Sequence, residues 1–281
     1  IHLRFGLCYN QPLDKDVLPS RLTHLRVGGL YDHPFDKNVL PSGLTYLEFG
    51  FNYNQPIVKN GLPSGLKHLT FGDCFNQPID KYVLPSGLTH LTFGDEYNQP
   101  IDKNVLPNGL TQLTFGDFYN IPFDKDVLPS GLTYLSLGKE YNQPFDKHVL
   151  PSGMTYLTFH HSSNFNQLIE KDILPNKLTN LTFGRSYNNP FYKDVLPNGL
   201  TRLRLGELYN QPFDKYVLPN SLTHMTFDYY CKFNKPFDKN VLPNSLTHMT
   251  LGMYYKQSFG KDVLPDNLEH LRLRLYYNDP L

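Results

Sequence analysis

Apolar residues in this chain follow neither the 3.6-residue period of a long helix nor a sustained alternation; they return as a block every 22 residues. A Leu-Pro pair marks the phase from Leu18-Pro19 to Leu264-Pro265, with nine of the eleven intervals equal to 22 residues and two equal to 24. A representative unit, Leu84 to Val105, reads LPSGLTHLTFGDEYNQPIDKNV. Its segment Leu88-Thr89-His90-Leu91-Thr92-Phe93 alternates locally and predicts a short strand, with Leu91 and Phe93 inward and His90 and Thr92 outward. Gly94 ends that strand, and Leu84-Pro85-Ser86-Gly87 predicts a type I turn before it. Other units place Arg21, Lys177, Ser221, Ser245 or Asn267 at the Gly87 position, so no left-handed backbone is expected there. In the second half, Ile101, Val105 and Leu106 are spaced i, i+4, i+5, which suits one 3₁₀ or α turn better than a strand; a second short strand is the alternative.

One such unit cannot bury its own apolar face, whereas stacked coils align like residues into ladders. An aromatic occupies one column from Tyr9 to Tyr277, and Leu, Ile or Phe occupies another from Leu13 to Leu281. The expected fold is a β-rich repeat solenoid running continuously over 1–281. About thirteen short parallel strands form one long sheet, with short turns or 3₁₀ segments on the opposite side. Both ends fall mid-unit, Ile1 near a strand start and Leu281 just past the Pro site, and neither shows a polar cap. Cap domains in a longer protein, or end-to-end self-association, are therefore expected.

Asn follows the aromatic column at eleven of thirteen sites: Asn10, Asn54, Asn76, Asn98, Asn120, Asn142, Asn166, Asn188, Asn210, Asn234 and Asn278. Inward amides at that corner can satisfy backbone groups and bond to each other, a structural role. The segment Leu88-x-x-Leu91-x-Phe93 with Tyr97-Asn98 resembles the core of leucine-rich repeats, and matches the FNIP repeat more tightly. That signature is clearest at Phe118-Tyr119-Asn120-Ile121-Pro122 and reads FNQP at Phe75-Asn76-Gln77-Pro78. The departures are Asp32 and Lys256 at the Asn site, and Leu168 and Ser258 at the Pro site. The resemblance implies a leucine-rich-repeat-like solenoid of the kind found in social amoebae and giant amoeba-infecting viruses. There the repeats often follow an F-box, as the substrate-reading arm of a ubiquitin ligase; no F-box stands in this sequence.

Charge narrows the partner. Lys plus Arg and Asp plus Glu both total 26, so no basic surplus exists for phosphates, and nucleic acid is not expected as a partner. Lys15 and its eleven counterparts, through Lys261, form a row, but the preceding residue is acidic in nine units, which largely cancels the field. No apolar stretch approaches the roughly 18 residues of a membrane span. Cys8, Cys74 and Cys231 make no disulfide framework, which fits a reducing intracellular compartment, the host cytoplasm for a viral protein.

Candidate chemistry lies on the outward strand face. The third strand-motif residue is His2, His24, Tyr46, His68, His90, Gln112, Tyr134, Tyr156, Asn180, Arg202, His224, His248 or His270. Tyr46, His68, His90, Tyr134, Tyr156, Arg202, His224, His248 and His270 are the expected binding residues, polar-tipped and aromatic. His224, His248 and His270 sit on consecutive coils, but the neighbours on that face, Thr226, Thr250 and Arg272, supply no acid or thiol, so no metal site is expected. The two 24-residue units carry insertions, His160-His161-Ser162-Ser163-Asn164 and Asp228-Tyr229-Tyr230-Cys231-Lys232. His160, His161, Tyr229 and Tyr230 complete the expected binding set, because recognition concentrates on longer loops of rigid scaffolds. No catalytic spacing and no cofactor motif stands out, so a non-enzymatic scaffold binding a protein partner is expected; a structural spacer or surface coat is the alternative.

Overall fold

The computed structural model describes residues 1–274; Tyr277, Asn278 and Leu281, the last members of their columns, lie outside the described residues. The chain divides into two compact units, Ile1–Tyr141 and Asn142–Leu281. The first holds β1 (His2–Arg4), β2 (His24–Arg26), β3 (Tyr46–Glu48), β4 (His68–Thr70), β5 (His90–Thr92), β6 (Gln112–Thr114) and β7 (Tyr134–Leu137). The second holds β8 (Tyr156–Phe159), β9 (Asn180–Thr182), β10 (Arg202–Leu205), β11 (His224–Phe227), β12 (His248–Leu251) and β13 (His270–Leu273). Within each unit every strand pairs in parallel with its chain neighbours, like residue against like residue, as in His68↔His90 and His224↔His248. No helix forms among the described residues, and the architecture is a parallel β-solenoid.

The coils are built of one strand and three turns. In the representative coil the turns close from Leu88 N–H to the Pro85 carbonyl (3.1 Å), from Tyr97 N–H to Gly94 (3.4 Å) and from Val105 N–H to Asp102 (3.2 Å). The first turn starts on Pro85, one residue later than the spacing predicts. Pro has no N–H but a free carbonyl, and closing on Leu88 drives that side chain into the core. The third is a short turn, one of the two forms expected on this side, but not the 3₁₀ or α turn that the i, i+4, i+5 spacing suits, and no second strand forms. Its third residue is left-handed in every described coil, from Asp16 (φ 69°) to Asp262 (φ 61°), as a type II turn requires. Asp or Asn occupies nine of those twelve positions, whereas Tyr82, His148 and Tyr216 accept the conformation without that local help. No glycine has positive φ, so Gly87 is indeed not a left-handed turn residue.

Gly94 serves close approach instead. A Cβ added there would lie 2.1 Å from the Gly72 carbonyl oxygen of the preceding coil, and one at Gly50 would lie 1.8 Å from that of Gly28. Coils therefore pack backbone against backbone at this corner. The corner is closed further by the Asn ladder: Asn76 Oδ1 accepts from the Asn98 backbone N–H (3.0 Å), Asn54 Oδ1 from Asn76 (2.9 Å) and Asn188 Oδ1 from Asn210 (2.8 Å). Asp32 keeps the acceptor, taking the Asn54 N–H at 2.9 Å, and Lys256 needs only its own N–H, donated to Asn234 Oδ1 at 2.8 Å. Amide-to-amide bonds come from the residue after the ladder Asn, such as Gln99 Nε2 to Asn76 Oδ1 (3.0 Å) and Asn189 Nδ2 to Asn166 Oδ1 (3.0 Å).

Leu91 and Phe93 are buried, and so are Leu84, Leu88, Tyr97, Ile101 and Val105, seven apolar side chains in one coil. Phe93 stacks on Tyr97 within the coil (3.9 Å between ring centroids) and on Phe115 of the next (5.3 Å), so the aromatics form two ladders. The Tyr53, Tyr97, Tyr187 and Tyr209 hydroxyls are buried in this core with no hydrogen-bond partner. Phe75 and Phe233 fill the same column without a hydroxyl.

Candidate recognition surface

The outward strand residues stand in register, and their rings follow one another along each unit. In the first unit His2, His24, Tyr46, His68 and His90 follow one another at 3.8, 5.5, 5.9 and 4.2 Å between centroids. In the second, His224, His248 and His270 follow at 4.4 Å each, the first pair nearly parallel (9°) and the second opened to 38°. Arg202 is exposed and pairs in register with His224 and Asn180; Tyr156 is exposed beside Asn180. Tyr134 and Tyr46 are half-buried, and the Tyr46 hydroxyl donates to Glu48 Oε2 (3.4 Å), whose other oxygen takes Arg26 Nε at 3.1 Å.

A Thr before the strand sets the state of four of the imidazoles. Thr223 Oγ1 donates its one proton to the Thr201 carbonyl (3.1 Å) and lies 2.9 Å from His224 Nδ1. Thr247 does the same toward Thr223 (3.2 Å) and His248 Nδ1 (2.8 Å). With the hydroxyl proton committed, Nδ1 must be the N–H that donates to Oγ1, leaving the Nε2 lone pair free on the outward face. His24 and His90 meet Thr23 and Thr89 in the same way, each at 2.9 Å. Burial first, then neighbouring positive charge, lowers three of these pKa values: His2 acts on His24, His90 on His68, and Arg202 ahead of His248 on His224.

Both insertions are built alike. The turn after the strand closes from Ser163 N–H to His160 O (2.8 Å) and from Cys231 N–H to Asp228 O (3.1 Å), so it ends on a small inward residue instead of the aromatic. Ser163 and Cys231 are fully buried; Ser163 Oγ accepts the Phe165 N–H (3.1 Å), and the Cys231 thiol donates to the Tyr209 carbonyl (3.4 Å). Burial pushes the Cys231 thiol up to about 12, so it is an anchor and not a nucleophile. Between these roots the tips project. Tyr229 (44% exposed) and Tyr230 (56%) meet edge to face at 4.8 Å, and the Arg274 guanidinium lies 5.5 Å from the Tyr229 ring. His160 and His161 stand 4.0 Å apart.

Two features escaped the sequence reading. Turn tips elsewhere also expose large apolar groups, Leu7, Leu30, Phe51 and Phe118 in the first unit and Tyr254 in the second. Their signal was available, since regular units such as Asp95-Glu96 carry charges at those tips. The other is Glu269, which replaces the pre-strand Thr. Its carboxylate, a nitrogen of His248 and one of His270 all lie within 4.8 Å of one another. The premise that the histidine triplet has no acid beside it is thereby corrected: the acid adjoins His270 in sequence rather than facing it along the strand.

The Lys row is also paired differently from expectation. Lys103, Lys147, Lys171 and Lys239 reach the left-handed Asp of the next coil, Asp126, Asp172, Asp194 and Asp262, at 3.0–3.7 Å. These pairs are exposed and contribute little each.

Among curated proteins, no relative matches this sequence. CroV588, a giant-virus protein described as a novel circular leucine-rich-repeat structure, superposes with a TM-score of 0.88 at 44% identity, over 97% of this chain. The chain spans 43% of the length of CroV588. An internalin, InlF, from Listeria monocytogenes superposes with a TM-score of 0.56 at 17% identity, over 90% of this chain and 74% of that one, a likeness of fold alone. No helix among the described residues is long and apolar enough to cross a membrane. Solenoids of this kind are commonly protein-interaction scaffolds. The FNIP Repeat matches residues 1–30, 9–52, 31–74, 53–96, 75–118, 119–162, 165–208 and 233–275, and its two internal gaps, 163–164 and 209–232, take in residues of both insertions. With matches over most of its length, this chain belongs to the FNIP repeat family.

Proposed function

We propose that this chain is a non-enzymatic scaffold that binds a protein partner through the His- and Tyr-rich strand face and the two insertion loops. The observation that carries the reading is the Tyr229–Tyr230 pair, exposed at the tip of a loop whose root, Cys231, is fully buried. Surface drift would leave a loose loop. Here the Tyr229 carbonyl also takes the Met253 N–H of the next coil at 2.9 Å, so the aromatics are presented on a fixed base. Rigid aromatic anchors lose little conformational entropy on binding and are enriched at binding hot spots. The surface serves as the substrate-reading arm of a larger, F-box-type protein when such a domain accompanies it.

Affinity capture from cells that make the protein, read by quantitative mass spectrometry, tests this. A variant carrying Tyr229→Ser, Tyr230→Ser, His160→Ser and His161→Ser is run in parallel. Partners enriched by the native chain are expected to fall at least about tenfold with the variant, while the melting temperature stays within about 4 °C. Equal capture by a folded variant refutes the assignment of the loops, and no enrichment by either chain refutes the binding role in favour of a spacer.

A further inference from the structure

The second unit brings two imidazoles and one carboxylate together on adjacent coils. His248 and His270 are register partners on β12 and β13, and Glu269 stands immediately before β13. One ligand atom from each lies within 4.8 Å of the other two. A dication held tetrahedrally at about 2.0–2.2 Å from each donor needs donor separations of roughly 3.3 Å. Glu269 and His270 are both exposed, so side-chain rotation alone can close that difference.

Three further observations favour a bound cation. Thr247 Oγ1, its proton already given to the Thr223 carbonyl, receives the Nδ1–H of His248 at 2.8 Å and leaves Nε2 as the outward lone pair. Protein metal ligands use this arrangement, in which a fixed acceptor behind the ring sets both tautomer and orientation. Next, the His248 and His270 rings are splayed by 38°, against 30° for His68–His90 and 9° for His224–His248. Splaying suits two nitrogens that converge on one point. Last, the acid stands in a column that is otherwise Thr, except for Ile1 before His2 and Lys67 before His68. In the His68–His90 stack, at 4.2 Å, the position matching Glu269 is Thr89, and the ammonium-bearing Lys67 stands before the first histidine, where the other pair has Thr247. Arg272, two residues along β13, adds positive charge nearby, and the Glu269 carboxylate offsets it.

We propose that His248, Glu269 and His270 hold one divalent first-row transition-metal ion of the zinc type, with the fourth position open on the outward face. Two imidazoles and one carboxylate match zinc and its neighbours and disfavour magnesium and calcium, which take oxygen donors. The site ties the last two described coils together at their surface and leaves one coordination position for water or an incoming side chain.

Isothermal titration of the chain with zinc chloride near pH 7.5, in a buffer that does not chelate, is the test. Co(II) absorption reports the coordination. One ion per chain is expected, with d–d bands of four- or five-coordinate intensity. Glu269→Gln, His248→Gln and His270→Gln should each weaken zinc binding at least about tenfold. The double variant His68→Gln/His90→Gln should leave the affinity within about twofold. None of the five positions is buried, so circular dichroism serves only to certify the fold. Absence of saturable zinc binding, a loss below tenfold in any of the three single variants, or an equal loss in the double variant overturns the proposal.

Discussion

Raising the pH attacks this core through its tyrosines. Tyr31, Tyr53, Tyr97, Tyr119, Tyr141, Tyr187, Tyr209 and Tyr255 all have raised pKa values, in each case chiefly because burial penalises the phenolate. Tyr31 and Tyr255 are pushed up to about 12, and the others higher. The folded chain therefore holds these protons more tightly than the unfolded chain, whose phenols ionise near a pKa of about 10. Stability is complete below pH ~10 and falls as pH rises above it. At pH 11 a phenol with a folded pKa of 12 or more costs about 1.4 kcal/mol, so eight cost about 11 kcal/mol, the size of a whole domain's stability. Unfolding followed by circular dichroism should set in between about pH 10 and pH 11, together with a cooperative rise in tyrosinate absorbance. Changing Tyr53, Tyr97, Tyr187 and Tyr209 to Phe removes roughly half of that load, about 5 kcal/mol, and shifts the alkaline midpoint upward. The same variant should be no less stable at pH 7, because the four hydroxyls have no partner to lose and Phe75 and Phe233 already fill this column. Native dichroism persisting at pH 11.5, or an alkaline midpoint unmoved by the four substitutions, would refute the reasoning.

Three shorter tests probe other levels of the structure. Gly94→Ala puts a methyl 2.1 Å from the Gly72 carbonyl oxygen and should lose at least about 2 kcal/mol in urea unfolding. Gly6→Ala, with nothing within 4 Å, should stay within about 0.5 kcal/mol of the native chain. Tyr82→Asn and Tyr216→Asn, at left-handed positions with φ 65° and 67°, should each raise stability by about 0.5–1 kcal/mol in the same assay. His24, His68 and His224 have lowered pKa values, so their contribution is complete above the unfolded value of about 6.5 and declines as pH falls through it, levelling off below the folded values. The melting temperature should drop from pH 7.5 to 5.5, and drop less when all three are Gln; equal drops would contradict it.

Much of this molecule is legible in the sequence because each structural requirement is stated about a dozen times. Leu91 and Phe93 face inward and His90 and Thr92 outward because the strand alternates, and the alternation recurs in unit after unit. The left-handed site left a signal that the apolar spacing overrode, since nine of its twelve residues are Asp or Asn, the side chains that tolerate that conformation. What only the tertiary structure decided are relations between residues of neighbouring coils, 22 to 24 apart in sequence and about one strand spacing apart in space. Lys103 turns from Asp102 beside it to Asp126 on the next coil. The glycines at the strand ends answer to a carbonyl of the coil before, a constraint that Gly6, with nothing near it, does not feel. Cys231 and Ser163 were counted as members of exposed loops, yet each plugs the core, because the turn hydrogen bond closes on them and brings their small side chains inside. Glu269 reaches the histidines because stacking brings the start of one strand against the side of another, a proximity that alternation along a single strand does not reveal.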